Sequence, residues 1–333
     1  TTIFNSATLA LDASLDIDNA VVLEVGEQTV RVDSGTSTIS GEISGEGFAA
    51  KAGSGTLVLS NANTFGGLNV NAGEIVVANS QALGSGTTTL ADGVTLDLEP
   101  SLSIDNGMVF EAGAQTLNID SGTSTLSGEL TGSGYATKTG SGTLALFGAN
   151  TFEGIDIDTG ELFAGNADAL GSGTANIQRD AILGIDSGLT IDNDVILGTL
   201  TYVSVPSGSA TLSGNISGGG PFTKIGSGTL GLSGTNTQVG TTINEGEIYV
   251  LSDSAVGTGR LTMEDQTALR LEDGINFSNA VRIELGQQTV ILTNGTASMS
   301  GRVTGSHVIT KMGAGTLFVS GNNANIGYTI AEG

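Results

Sequence analysis

Lys51-Ala52-Gly53-Ser54-Gly55-Thr56-Leu57-Val58-Leu59-Ser60 occurs four times in this chain with small changes. It returns as Lys138-Thr139-Gly140-Ser141-Gly142-Thr143-Leu144-Ala145-Leu146-Phe147 and as Lys224-Ile225-Gly226-Ser227-Gly228-Thr229-Leu230-Gly231-Leu232-Ser233. The last copy is Lys311-Met312-Gly313-Ala314-Gly315-Thr316-Leu317-Phe318-Val319-Ser320. The lysines stand 87, 86 and 87 residues apart, and the sequence contains no others. A fixed period over most of a chain specifies a repeat architecture and overrides the domain count that length alone suggests.

Outward from this phrase the whole sequence aligns to itself. Full repeats run over 34–120, 121–206 and 207–293, with 1–33 reading as the end of a repeat and 294–333 as the start of another. Both ends fall inside a repeat, so 1–333 reads as one continuous solenoid fragment of a longer protein. Ser34-Gly35-Thr36-Ser37 opens the repeat and returns at Ser121, Ser207 and, as Asn, at Asn294. An asparagine follows each lysine by twelve residues (Asn63, Asn150, Asn236, Asn323). A Gly-Glu pair comes next at Gly73-Glu74, Gly160-Glu161 and Gly246-Glu247, with Gly333 the fourth glycine of the series. Ala82-Leu83-Gly84-Ser85-Gly86 and Ile104-Asp105-Asn106 complete the set.

Between these stations the pattern has period two, as in Leu57/Leu59, Leu68/Val70, Ile75/Val77 and Leu96/Leu98. Short alternating runs bounded by Gly, Asn, Asp and Ser are strands, and no stretch carries a capped helical period. Strand clusters recur every 20 to 24 residues, about four to a repeat, which is the size of one coil of a parallel β-helix. Hairpin dipeptides such as Asp92-Gly93, Asp273-Gly274 and Asn294-Gly295 are few, which disfavours a sandwich or a propeller. The expectation is an all-β parallel β-solenoid of about fifteen coils.

Composition narrows the function classes. The net charge of −24 opposes nucleic-acid binding and adsorption to anionic lipid, both of which need exposed Lys/Arg. No run of 18 apolar residues offers a membrane-spanning helix, so direct membrane insertion is not expected. The 53 glycines follow no collagen period, and 38% apolar residues is too many for a disordered chain. With no cysteine there is neither a disulfide nor a Cys-based metal site.

Candidate chemistry is sparse. Glu74, Glu161 and Glu247 each follow a repeat lysine by 23 residues, about one coil. They read as exposed inter-coil ion pairs Lys51–Glu74, Lys138–Glu161 and Lys224–Glu247, worth about 0–1 kcal/mol each, whose loss lowers the melting temperature slightly. His307 is the single histidine and occupies the place of Gly47, Gly134 and Gly220, which reads as a drifted turn residue and not as a catalyst. The groupings Asp12/Asp16/Asp18, Asp92/Asp97/Glu99 and Asp186/Asp192/Asp194 read as solvated turn edges, since neither an EF-hand nor a calcium-roll nonapeptide occurs. Gly-Ser-Gly-Thr lacks the following lysine and the helix of a phosphate loop. Catalytic residues should interrupt the repeat at one place, and these residues mostly obey it. No catalytic, cofactor-binding or metal residue is therefore assigned, no cofactor is expected, and the chain reads as a non-enzyme. A glycan- or receptor-binding module, or a polysaccharide-active enzyme on a β-helix, is the alternative.

Lys-x-Gly-Ser-Gly-Thr-Leu-x-Leu-Ser, followed by Asn63-Thr64-Phe65 or Asn150-Thr151-Phe152, Gly-Glu-Ile/Leu and Ala-Leu-Gly-Ser-Gly, resembles the passenger-associated transport repeat of autotransporters. The third copy departs at Thr237-Gln238 and the fourth at Ala324-Asn325. The resemblance implies a right-handed parallel β-helix in the secreted passenger of a Gram-negative surface protein. There a separate C-terminal barrel provides the anchor, and the repeats support transport and folding. It also implies an adhesin, with host or matrix surface molecules and side-by-side self-association as the expected partners.

Overall fold

The computed structural model describes residues 1–284, 286–305, 307–323 and 327–332. Two notable positions, Gly333 and the Ala324-Asn325 departure, lie outside the described residues. The chain forms two compact units, Thr1–Gly173 and Thr174–Gly333, divided inside a repeat and not between repeats. Among the described residues there is no helix, and neighbouring strands pair in parallel. Both units are parallel β-solenoids, with about 16 turns in all.

Alternation of side chains decides what each strand buries. In the first unit one inward column runs Ser37, Leu57, Ile75, Leu96, Leu117, Lys138, Ile157, each the register partner of the next. All seven are buried. In the second unit the column Ala210, Leu230, Ile248, Leu269, Val290, Lys311 repeats the arrangement. Each fully buried Leu, Ile or Val contributes about 1.5–3 kcal/mol, so the solenoid is held by continuous apolar stacks and not by any single contact.

The register also sets the pitch of the repeat. Starting from Leu57, four rungs lead to Lys138 and not to Leu144, the equivalent residue one repeat later. Leu57 and Lys138 are 81 residues apart, six short of the repeat, and six residues also separate Lys51 from Leu57 on the next strand. Three strand segments make a coil, as Thr116–Asn118, Thr123–Leu126 and Leu130–Gly132 show. Each repeat thus makes four coils plus one side, and equivalent residues turn about a third of the way round. The second unit agrees, since four rungs from Leu230 lead to Lys311, again 81 residues on. The expected four coils per repeat become four and a third.

Corners carry the large core residues. Phe65 and Phe152 are fully buried, and the Phe152 ring lies 5.4 Å from that of Phe110. In the third copy Gln238 takes the phenylalanine's place, equally buried, and Thr241 stands where Leu68 and Ile155 stand. Gln238 Nε2 donates to Thr241 Oγ1 at 3.3 Å and Thr241 Oγ1 donates to the Val256 carbonyl at 3.0 Å, while Gln238 Oε1 has no partner among the described residues. Restoring the repeat with Gln238→Phe and Thr241→Leu together is expected to stabilise this unit by about 2–4 kcal/mol, read as a rise in the urea midpoint. An unchanged midpoint would mean that the polar pair is as well satisfied as the aromatic core.

Candidate functional site

Lys51, Lys138 and Lys224 do not form the expected ion pairs with Glu74, Glu161 and Glu247. Lys51, Lys138 and Lys224 are fully buried and Lys311 is 7% exposed. Parity explains the inward direction: Ala136 and Lys138, or Phe222 and Lys224, are alternate residues of one strand and share its inner face. The aliphatic stem then fills a slot between apolar neighbours, Leu117 and Ile157 for Lys138, and Val203 and Ile243 for Lys224.

At the end of each stem the ammonium meets main-chain carbonyls. Lys51 Nζ donates to Gly53 O at 2.7 Å and to Ala72 O at 2.8 Å. Lys138 Nζ donates to Gly140 O at 2.7 Å, Thr139 O at 2.9 Å and Thr159 O at 3.1 Å. Lys224 Nζ donates to Gly226 O at 2.5 Å and Glu245 O at 3.1 Å, and Lys311 Nζ to Gly313 O and, at 3.0 Å, to Glu332 O. The near acceptor is always the first glycine of the phrase, held at φ +81°, +77°, +80° and +83°, where only glycine is unstrained. That left-handed turn aims its carbonyl back at the ammonium.

The far acceptor lies 21 residues on, and the glycine after it closes the cage. A Cβ added to Gly73, Gly160 or Gly246 would sit 2.8, 2.8 or 2.9 Å from the lysine nitrogen. The Gly-Glu station therefore serves the lysine through its glycine and the preceding carbonyl. Its glutamate faces outward and binds elsewhere: Glu74 accepts from Thr56 Oγ1 at 2.7 Å and Glu161 from Thr143 Oγ1 at 3.2 Å. Glu247 pairs with Arg270 at 2.5 Å, and that guanidinium also lies 5.5 Å from the centre of the Tyr249 ring.

Burial pushes the ammonium groups of Lys51, Lys138 and Lys224 down to about 8, opposed by the nearby charges of Glu74, Glu161 and Glu245. Below about pH 8 each lysine is ionised in the folded and the unfolded chain. Above it the folded chain gives up its proton first, while the unfolded chain keeps it to about 10.5. Stability therefore climbs between about pH 8 and 10. The check is the urea midpoint of the native chain against Lys138→Met at pH 7.5 and 9.5. The native chain should gain on the variant with pH, and a constant difference would show that the carbonyls fully offset burial.

The asparagine station ties three rungs together. Asn150 Oδ1 accepts the Leu130 N–H at 2.9 Å from the rung before, and its Nδ2 donates to Ala169 O at 2.8 Å on the rung after. Asn63 and Asn236 repeat both bonds, with Ile43 and Ala82 and with Ile216 and Ala255. Asn323 accepts from the Val303 N–H at 2.9 Å. Buried glutamines one period apart, Gln28 and Gln115, donate to the corner carbonyls Glu24 O and Glu111 O at 2.8 Å. The sequence reading passed over these glutamines, although their recurrence at the repeat distance is the same signal that marked the asparagines.

One carboxylate of each acidic grouping clips its coil to the next. Asp92 Oδ1 accepts the Ala114 N–H and Asp194 Oδ1 the Asn215 N–H, each at 2.8 Å on the next coil. Asp16 accepts from Ser40 Oγ at 2.8 Å. Among the described residues no three His, Asp or Glu side chains come together as a metal-ligand set. His307 lies partly exposed in the bend that leads into strand Val308–Met312.

The passenger-associated-transport-repeat family matches four segments, 50–77, 137–162, 222–250 and 309–333. Three of the four take in both the lysine and the Gly-Glu station, and the last runs from the lysine to Gly333. The adhesin BmaC autotransporter of Brucella suis biovar 1 (strain 1330) is 30% identical over 249 residues, covering 67% of this chain. The chain spans about 7% of the length of that relative. No solved structure matches. Four passenger-associated transport repeats, each opening on a caged lysine, thus run through this chain, which resembles the passenger of an autotransporter adhesin.

Proposed function

We propose that the chain is a non-enzymatic scaffold segment of an autotransporter passenger, displayed outside a Gram-negative cell as part of an adhesin. The observation that supports this most is that the internal contacts repeat: the lysine cage recurs at four stations and the asparagine bridge at three. Each is a contact between one coil and its neighbours, so each coil is completed by the chain that immediately follows it. Such a chain folds in the order in which it emerges, which suits passage through an outer-membrane pore.

The test is made in the autotransporter that carries the segment. Excising 34–293, three full repeats and so a whole number of coils, should leave surface display and adhesion of the cells unchanged, whereas Lys138→Ala should lower the amount displayed. Loss of adhesion at normal display after the excision would overturn the scaffold reading and assign binding to this stretch.

A further inference from the structure

Charge is unevenly spread over the chain. Thr1–Gly173 carries 21 acidic and three basic residues, of which Lys51 and Lys138 are buried. Thr174–Gly333 carries 13 acidic and seven basic residues, including five of the six arginines.

Three of those arginines share one face. Leu261 N–H donates to Ala280 O and Val281 N–H to Arg302 O, both at 2.9 Å, so Arg260, Ala280 and Arg302 stand in a column on successive rungs. Arg282 lies on the middle rung between Thr262 and Thr304. All three arginines are exposed. Arg282 pairs with Glu284 at 2.5 Å, while Arg260 and Arg302 make no ion pair among the described residues.

Two repeats earlier the same backbone carries the opposite sign. Thr88 N–H donates to Gly107 O at 3.0 Å and Met108 N–H to Glu129 O at 2.9 Å, so Thr87, Gly107 and Glu129 form the column. Val109 takes the place of Arg282 and Glu111 that of Glu284. Another repeat back, Val21 N–H donates to Glu42 O at 2.9 Å, with Val22 and Glu24 alongside. Arg302 thus replaces Glu42 and Glu129 in an equivalent frame, and Glu24, Glu42, Glu111 and Glu129 are all exposed.

We propose that the Arg260–Arg282–Arg302 face docks on the Glu111–Glu129 face of a second copy of this chain, with Glu24–Glu42 as an equivalent acceptor. The contact is heterologous: different faces meet, and each chain keeps a free donor and a free acceptor. Exposed charges of this kind set encounter rate and specificity, and the attraction is screened beyond about 8 Å at physiological salt. The proposal goes beyond the scaffold reading and does not depend on it.

Sedimentation velocity tests it with two charge-reversal variants, R260E/R282E/R302E and E24R/E42R/E111R/E129R, whose circular dichroism should match the native chain because every site is exposed. The native chain should gain mass with concentration at low salt and lose it when salt is raised. Each variant alone should associate about tenfold more weakly or worse, and an equimolar mixture of the two should recover association. A mixture that stays monomeric, or an arginine variant that associates like the native chain, overturns the proposal. So does a strictly monomeric native chain, and if that chain binds dextran sulfate through the three arginines the face belongs to a polyanion.

Discussion

Lys138→Ala is expected to destabilise its part of the solenoid by about 3–5 kcal/mol, far more than loss of a surface ion pair. Two effects add. The stem that packs between Leu117 and Ile157 is removed and leaves a cavity. The carbonyls of Thr139, Gly140 and Thr159 also lose their shared donor. Lys138→Met separates the two, because it keeps the stem volume and removes only the ammonium, along with the cost of burying its charge. It should lose about 1–3 kcal/mol. Because a solenoid's stability is a sum over neighbouring coils, the loss is local and is read best by amide hydrogen exchange over residues 117–160. Exchange as slow in Lys138→Ala as in the native chain would show that the cage does not hold these coils together.

Asn150→Ala carries the second large effect, a loss of about 2–4 kcal/mol. Asn150 is 3% exposed, and its amide satisfies the Leu130 N–H and the Ala169 carbonyl at once. Alanine leaves both buried groups without a partner on opposite sides of one coil. Protection should fall on the rung before and the rung after, which a simple packing defect would not do. Asn150→Asp keeps the acceptor for Leu130 but sets a buried carboxylate against the Ala169 carbonyl, so it should be no better than alanine at neutral pH and should partly recover as the carboxyl is protonated in acid. Thermal unfolding of the three chains at pH 7 and pH 4 makes the comparison.

The period, the strands and their inward residues were legible because each rests on spacing. Leu57, Leu59, Ile75 and Val77 alternate, and all four are buried. The lysine was misread because its charge outweighed its parity. A lysine is almost never fully buried without a partner, and that prior pointed to Glu74, although Lys138 lies two residues from Ala136 on the same face. The glutamate's offset of 23 was also two residues too long, since the atom that meets the ammonium is a main-chain carbonyl at offset 21. Main-chain acceptors have no letter in the sequence. The glycines that mark such places, Gly53 and Gly73, are visible in the repeat, but a glycine's letter does not say which carbonyl its turn aims. The extra side per repeat was hidden for a different reason: a coil of 20 to 24 residues fits 87 about equally well with four coils or a little more.

That extra side has a consequence for how such proteins change length. Gain or loss of one repeat by recombination alters reach by about 21 Å, at about 4.8 Å for each of four and a third rungs. It also shifts by a third of a turn the angular phase of everything carried farther along the solenoid. Two alleles that differ by one or two repeats present a distal epitope in different directions, while a difference of three restores its phase. Repeat number in these passengers is therefore an angular variable as well as a linear one, and length variants in multiples of three are those that conserve facing.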